Sequence, residues 1–189
     1  MGKINGEVIC GGSMGMDYAE MGRTEELSPE QFEKFYAATM RALRSYICRI
    51  TSNEAIADDI LQESYIRLLS APPMQEAQRK SYLYRVATNL IMDHHRAESR
   101  QRHWWQRSVA PDQSTDARLD LTPDMHHLFA RINIQERSLL WLAYVEGAEH
   151  REIAEILHVK EKSVRVLLHR ARRKMEAILR KHGFEGSHE

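Results

Sequence analysis

Apolar side chains recur every three to four residues along most of this 189-residue chain, and that spacing constrains its fold more than any other feature. The clearest stretch follows Ser28-Pro29-Glu30-Gln31. Serine is a good N-cap, proline suits the first helical turn, and Gln31 can complete a capping box. No stretch alternates between apolar and polar residues as a half-buried strand does. The sequence therefore predicts an all-α protein.

Three amphipathic helices with short connections are predicted in the first half of the chain, and together they indicate a helical bundle. The first begins at the cap just described, and the third spans about Gln78–Arg100. The second begins near Thr51–Glu54, again a capping-box pattern, with Thr51 in the place of the cap. Pro72-Pro73 prevents continuation of the second helix. Their predicted core positions are Phe32, Phe35, Tyr36, Met40, Leu43, Ile47 and Ile50; then Ala57, Ile60, Leu61, Ser64, Tyr65 and Leu68; then Leu83, Val86, Ala87, Leu90, Ile91 and His94.

A second helical unit is predicted after a break in the periodicity. Proline, serine and aspartate give residues 103–121 the composition of a linker. Thr122-Pro123 and the run Asn133 to Glu136 are helix-start signatures, and Leu139, Leu140, Ala143 and Tyr144 form an apolar face. We therefore predict two small helical domains joined by a flexible linker. The predicted boundaries are a tail over 1–26, a first domain over 27–102, a linker over 103–121, a second domain over 122–183 and a tail over 184–189.

The segment from His150 to His169 has the pattern of a helix-turn-helix. Ile153 and Leu157 face a core, and Ala154 is small where a second helix must cross closely. His158 stands at the turn, where glycine is usual because the backbone there is left-handed. Histidine is one of the few other residues enriched in that conformation.

The charge of the chain is unevenly distributed. Lysine plus arginine and aspartate plus glutamate both number 27, and such a neutral balance alone argues against a nucleic-acid partner. Between Lys160 and Lys181, however, nine basic residues accompany two acidic ones, and between Arg79 and Arg102 six accompany two. Because a helix-turn-helix inserts its second helix into the major groove, the first of these surpluses favours DNA binding.

The predicted third helix has a polar face opposite its apolar stripe, because its members are three or four residues apart. They are Arg85, Asn89, Asp93, Arg96 and Arg100. Such a face can follow a phosphate backbone. Tyr82, Tyr84, Trp104 and Trp105 lie nearby in sequence; aromatic groups beside basic ones suit unstacked bases, although they also suit a helical core.

Other classes of function have weaker support. Asp93-His94-His95 matches a run found in metal-dependent phosphoesterases, but those enzymes need further acidic ligands on an α/β scaffold. We therefore predict no catalysis, metal or cofactor. Cys10 and Cys48 lack the spacing of a zinc or disulfide framework. With no apolar stretch of membrane-spanning length and no export signal, we expect a cytoplasmic protein. A helix-turn-helix repressor or activator with a sensing or dimerising N-terminal bundle remains an alternative.

Three segments, in order, resemble the extracytoplasmic-function (ECF, group IV) sigma factors of the bacterial sigma-70 family. Ala57–Leu68 resembles region 2.2, which docks on the polymerase β′ clamp. Lys80–Arg96 is similar to regions 2.3 and 2.4, which melt and read the minus-10 element, and Glu152–Arg173 is similar to region 4.2, which binds the minus-35 element. The loop over Ser70–Arg79 matches the specificity loop that holds a flipped base.

The resemblance implies the following partners and residue roles. The expected partners are core RNA polymerase (β′ clamp and β flap), promoter DNA and an anti-sigma factor. The implied polymerase-binding residues are Asp58, Asp59, Gln62, Glu63 and Arg67. Those implied for the minus-10 element are Arg79, Lys80, Tyr84, Arg85, Asn89, Asp93, Arg96 and Arg100. Those implied for the minus-35 element are Lys160, Lys162, Ser163, Arg165, Val166, His169, Arg170 and Arg173.

Overall fold

The computed structural model describes residues 27–108 and 125–184, with the backbone alone for 102–108, 125 and 126. Within these residues the secondary structure is helical, which confirms the predicted all-α class. The helices are α1 (Pro29–Thr51), α2 (Glu54–Leu69), α3 (Glu76–Ser108), α4 (Met125–Phe129), α5 (Ile134–Tyr144), α6 (His150–Leu157) and α7 (Glu161–Lys181).

The helix starts follow local capping rules, with one correction. The Ser28 hydroxyl accepts a hydrogen bond from the Gln31 N–H (3.3 Å), and the Gln31 side chain accepts one from the Ser28 N–H (3.2 Å), so the predicted capping box is confirmed. For α2 the cap is Asn53 rather than Thr51. Thr51 is the last residue of α1, and its hydroxyl donates to the carbonyl of Ile47 (2.8 Å).

Helix α3 is longer than predicted, because it continues past Arg100 to Ser108. The assignment of residues 103–108 to a linker is therefore wrong. Arginine and glutamine are good helix formers and sustain a helix without an apolar stripe, so the loss of periodicity did not mark the end of the helix. Residues 109–121, the rest of the predicted linker, lie outside the described residues, as do the predicted helix start at Thr122-Pro123, the N-terminal tail and residues 185–189.

The two helical units pack directly on each other. Helices α1–α3 form the first unit and α4–α7 the second, while α1 contacts α5 and α3 contacts α6. Buried residues from both units belong to one continuous apolar cluster. Every predicted core residue of α2 is buried, as expected: Ala57, Ile60, Leu61, Ser64, Tyr65 and Leu68.

Contact between the units changes the burial of residues elsewhere. Tyr46, which was not among the predicted core residues, is fully buried because α5 covers a side of α1 that would otherwise face solvent. Three predictions of burial are wrong: Tyr36 is 38% exposed, Tyr144 is 59% exposed, and His94 is exposed. Helix α5 contacts α1, α6 and α7, so its buried surface faces several directions and does not form one stripe.

The helix-turn-helix has the predicted turn. His158 ends α6 with φ 53° and ψ 44°, the left-handed conformation, and the Val159 N–H donates to the carbonyl of Ala154 (3.0 Å). Ile153, Ala154 and Leu157 are buried, as are Val164 and Leu168 of α7. None of the described helices is long and apolar enough to cross a membrane.

Replacing His158 with Gly is expected to raise the free energy of unfolding by about 0.5–1 kcal/mol, because glycine adopts left-handed φ without a clash at Cβ. Urea unfolding followed by circular dichroism measures the change. The matched control is Glu155→Gly at an exposed position inside α6, where the same substitution should cost about 1 kcal/mol. If both variants lost the same free energy of unfolding, the result would show that the turn favours histidine over glycine.

Candidate nucleic-acid interface

The side of α2 away from the core is polar and acidic. Asp59 and Gln62 are exposed. Asp58 accepts two hydrogen bonds from the Arg44 guanidinium (2.6 and 3.1 Å), which lower the pKa of its carboxyl. Glu63 pairs with Arg67 one turn later (2.8 Å). The five residues implied as polymerase contacts therefore share one accessible surface, the acidic face of α2: Asp58, Asp59, Gln62, Glu63 and Arg67.

Helix α3 presents the predicted polar face on its C-terminal part. Asn89, Asp93, Arg96 and Arg100 are exposed, and Arg85 is half-buried. The Arg85 guanidinium lies over the Tyr82 ring, 5.2 Å from its centroid, and Asp93 pairs with Arg96 (3.2 Å). A basic surface containing an amide and an aromatic ring can accept a phosphate backbone with unstacked bases.

Two of the residues implied for the minus-10 element differ from this pattern, because the structure buries them. Arg79 is 6% exposed and Tyr84 is 2% exposed. Lys80 is accessible, but its ammonium group pairs with Glu146 of the second unit (3.4 Å). The second unit therefore covers Tyr84, whereas Arg79 is buried beside Leu68 and the Pro72–Met74 loop of its own unit. The implied roles of both residues at the minus-10 element stay predictions.

Glu146 is the centre of the polar contact between the units. Its side chain is 10% exposed and accepts a hydrogen bond from the Trp141 indole N–H (3.2 Å) in addition to pairing with Lys80. Nearby, the Ser81 hydroxyl donates to Glu152 (3.3 Å). These side chains surround a small cavity of about 60 Å³. A carboxylate buried to this extent needs partners, and here they come from both units.

Two tyrosines pack together where the units meet. The rings of Tyr46 and Tyr84 are 5.3 Å apart. The Tyr46 hydroxyl shares a hydrogen bond with that of Thr88 (2.8 Å), whereas the buried Tyr84 hydroxyl has no hydrogen-bond partner among the residues that the structure describes. Burial raises the pKa of Tyr46 to about 12. Burial, followed by the nearby Glu146 carboxylate, also raises the pKa of Tyr84.

The outward side of α7 carries the residues implied for the minus-35 element. It lies opposite the buried residues Val164, Leu168 and Ala171. Ser163 is half-buried and the other seven residues are exposed: Lys160, Lys162, Arg165, Val166, His169, Arg170 and Arg173. An ion pair between Lys174 and Glu136 (2.8 Å) joins α7 to α5 and leaves this basic face open. The geometry is that of a recognition helix with free access to a groove.

The Asp93-His94-His95 run lies on the surface of α3. All three residues are exposed on α3, and the Asp93 carboxylate engages Arg96. Among the residues that the structure describes, no group of three or more histidine, cysteine, aspartate or glutamate side chains is placed to hold a metal ion.

Three interface residues were missed by the sequence analysis: Arg44, Trp141 and Glu146. Glu146 is 66 positions after Lys80 in the chain, and its acidic side chain looks like any solvated one in the sequence. Arg44 and Asp58 are on different helices. No local signal connects such pairs, because tertiary packing alone brings them together.

Two helical units, of which the second contains an open helix-turn-helix, define an all-α protein of the helix-turn-helix class. Two family models match it: Sigma-70 region 2 over residues 35–101 and Sigma-70, region 4 over residues 124–175. The chain belongs to the sigma-70 family and, with the relatives described next, to its ECF group.

The relatives and solved structures agree with this assignment. The chain is 28% identical to the ECF RNA polymerase sigma factor SigE of Mycolicibacterium smegmatis, covering 89% of this chain and 66% of the relative. It is also 28% identical to the ECF RNA polymerase sigma factor SigL of Mycobacterium tuberculosis, over 78% of this chain and 92% of SigL. The fold is similar to Bartonella quintana RpoE in complex with the anti-sigma factor NepR (TM-score 0.61, 18% identity, 80% and 98% covered). It is also similar to CnrH in complex with the cytosolic domain of CnrY (TM-score 0.59, 19% identity, 82% and 90% covered).

The relatives differ in length. This chain spans 66% of SigE and 53% of the probable ECF sigma factor SigI of Mycobacterium tuberculosis, although it spans nearly all of SigL.

Replacing Tyr46 with Phe is expected to lower the free energy of unfolding by about 1 kcal/mol, because the buried Thr88 hydroxyl loses a partner. Tyr84→Phe is the matched control: it removes a buried hydroxyl without a hydrogen bond, so stability should stay constant or rise. Urea unfolding at pH 8 measures both. A larger loss from Tyr84→Phe than from Tyr46→Phe would contradict the described bonding.

Alkaline pH provides a second test of Tyr46. Because the folded-state pKa of Tyr46 is raised from 10.0 to about 12, its stabilisation is fully present below about pH 10 and is lost as the pH rises toward 12. The free energy of unfolding of Tyr46→Phe should therefore fall less steeply with pH over that interval than that of the parent protein. Parallel curves would show that Tyr46 ionises as easily in the folded protein as in the unfolded chain.

Proposed function

We propose that this chain binds core RNA polymerase and directs it to promoters, where it reads two DNA elements and helps to melt the DNA. One observation carries the proposal: the acidic face of α2 is accessible on the same chain as two basic DNA-facing surfaces. A repressor or activator needs the basic surfaces but has no use for an exposed acidic docking face. The names of SigE and SigL, both ECF RNA polymerase sigma factors, support the same function.

The acidic face of α2 is proposed as the polymerase-binding surface. Its charged groups are exposed, and two of them are already oriented by ion pairs with Arg44 and Arg67. Such groups attract a basic surface and specify the orientation of docking. The implied partners are the β′ clamp for this face and the β flap for the second unit.

The polar face of α3 is proposed to bind the minus-10 element. Arginines at 85, 96 and 100 would contact phosphates, and Asn89 would hydrogen-bond to bases. Beside the start of α3, a half-open pocket of about 230 Å³ is lined by Leu68, the Pro72–Met74 loop and Arg79. A pocket lined by both polar and apolar atoms, with one cationic side chain, suits an extruded base, whose unstacking costs a few kcal/mol.

Separation of the two units is part of the proposal. Tyr84 contacts DNA only after α6 and Glu146 move away from α3, because the second unit covers it in this structure, and the same movement releases Lys80 from its ion pair with Glu146. The packed arrangement is then a state of the protein that does not bind the minus-10 element. Polymerase binding, which would hold the two units on separate surfaces, supplies a driving force for opening.

The remaining parts of the function follow from this role. The protein performs no chemistry itself, acts in the cytoplasm together with polymerase, and needs no cofactor. An anti-sigma factor is proposed as a regulatory partner, since RpoE, which has a similar fold, was solved in complex with the anti-sigma factor NepR.

Reversing two charges on the acidic face of α2, Asp59→Arg with Glu63→Arg, is expected to weaken core polymerase binding by about tenfold or more. Binding of labelled protein to purified core enzyme, followed by fluorescence anisotropy, measures the change, and transcription from a genomic fragment library shows whether promoters are selected. The control, Glu30→Arg with Glu33→Arg on α1, makes the same change in net charge at exposed positions and should bind normally. A parent protein that neither binds core enzyme nor produces defined start sites would refute the proposed function.

Joining the units should block promoter melting. Ser81→Cys and Glu152→Cys, introduced with Cys10→Ser and Cys48→Ala, place two thiols where the side chains now meet, and a short bis-maleimide would connect them. We expect the connected protein, bound to core enzyme, to lose at least tenfold in promoter opening, measured by permanganate reactivity of unpaired thymines. The control is the same variant modified with N-ethylmaleimide, which leaves the units free to separate. Normal opening by the connected protein would show that Tyr84 need not be uncovered.

A further inference from the structure

Val166 occupies the centre of the outward face of α7. It lies four residues after Lys162, three before His169 and seven before Arg173, so the four side chains form one line along the helix. That line points away from the buried residues of α7, and Val166 is 51% exposed. An aliphatic side chain is thus surrounded by cationic and polar ones at an exposed position of the helix.

Neither helix stability nor packing accounts for valine at this position. Valine is β-branched and forms helices less readily than alanine, lysine or arginine. Its side chain faces away from the apolar cluster that α7 shares with α5 and α6. Single exposed apolar residues are common, but this one lies in the first half of a recognition helix, where side chains reach base edges.

The major groove offers one apolar group to such a side chain, the C5-methyl group of thymine. The other base edges present hydrogen-bond donors and acceptors, which valine cannot satisfy. The neighbours of Val166, among them Lys162 and Arg170, are suited to phosphates and to guanine edges.

We propose that Val166 is a specificity-determining residue that packs against a thymine methyl group in the minus-35 element. The proposal rests on the proposed function and adds the feature of the DNA that this position reads. It requires the preferred element to contain a thymine opposite Val166, so that a uracil or cytosine at that position is bound less tightly.

Deoxyuridine provides the test, because it differs from thymidine only by the missing methyl group. Holoenzyme assembled from core polymerase and the full chain first selects its preferred minus-35 duplex from a randomised promoter library. Each thymine of that duplex is then replaced singly by deoxyuridine, and binding is measured by competition. For the parent protein, we expect one replacement to weaken binding about fourfold, the effect of burying one methyl group.

The variant Val166→Ser should bind the thymine duplex about fourfold less tightly than the parent and should no longer distinguish it from the uracil duplex. Val145→Ser is the matched control, since Val145 is 60% exposed in the same unit but lies at the end of α5, outside the recognition helix. That variant should discriminate like the parent. A double-mutant cycle that combines Val166→Ser with the replacement of thymine by uracil isolates the contact between the side chain and the methyl group.

The other outcomes separate this inference from the proposed function. The inference would be overturned, with promoter selection intact, by any of three results. The selected duplex contains no thymine, or no single uracil replacement weakens its binding to the parent protein. In the third case, Val166→Ser still binds the thymine duplex more tightly than the uracil duplex. A holoenzyme that selects no duplex would overturn the proposed function, and the inference with it.

Discussion

Burial of one side of α1 and α3 by the second unit is the constraint on which the rest of the structure depends. It places Tyr46 and Tyr84 in a single core that neither unit completes alone. It also explains why Glu146, a carboxylate that is 10% exposed, is surrounded by donors from two units. Because the same contact buries Tyr84 and pairs Lys80 with Glu146, packing of the units and access to Tyr84 compete for one surface.

The exposed faces of α2, α3 and α7 differ in charge, although the chain as a whole has a net charge of zero. The acidic side chains of α2 are directed outward and held by arginines, whereas the basic side chains of α7 surround an open face. A neutral total limits nonspecific attraction to DNA, since that attraction grows with the number of phosphates neutralised. Segregation of charge therefore lets one small protein present an acidic surface and basic surfaces together.

Much of the fold was predictable, because its signals are local. The Ser28 capping box, the buried stripe of α2 and the left-handed turn at His158 each depend on residues within one or two helical turns, and each was found where expected. The polar face of α3 and the basic face of α7 follow from helical spacing alone. Periodicity failed at the end of α3, where the helix persists on intrinsic propensity without an apolar stripe.

The sequence by itself determined which segments are helical, where most of them begin, which side of α2 is buried and which side of α7 is basic. Only the tertiary structure decided that Tyr84 is buried, that Tyr144 is exposed and that Lys80 pairs with Glu146. The physical reason is the range of the interactions. Helical spacing and capping are encoded by near neighbours, whereas contact between the units joins residues tens of positions apart, and their individual side chains carry no mark of the partner.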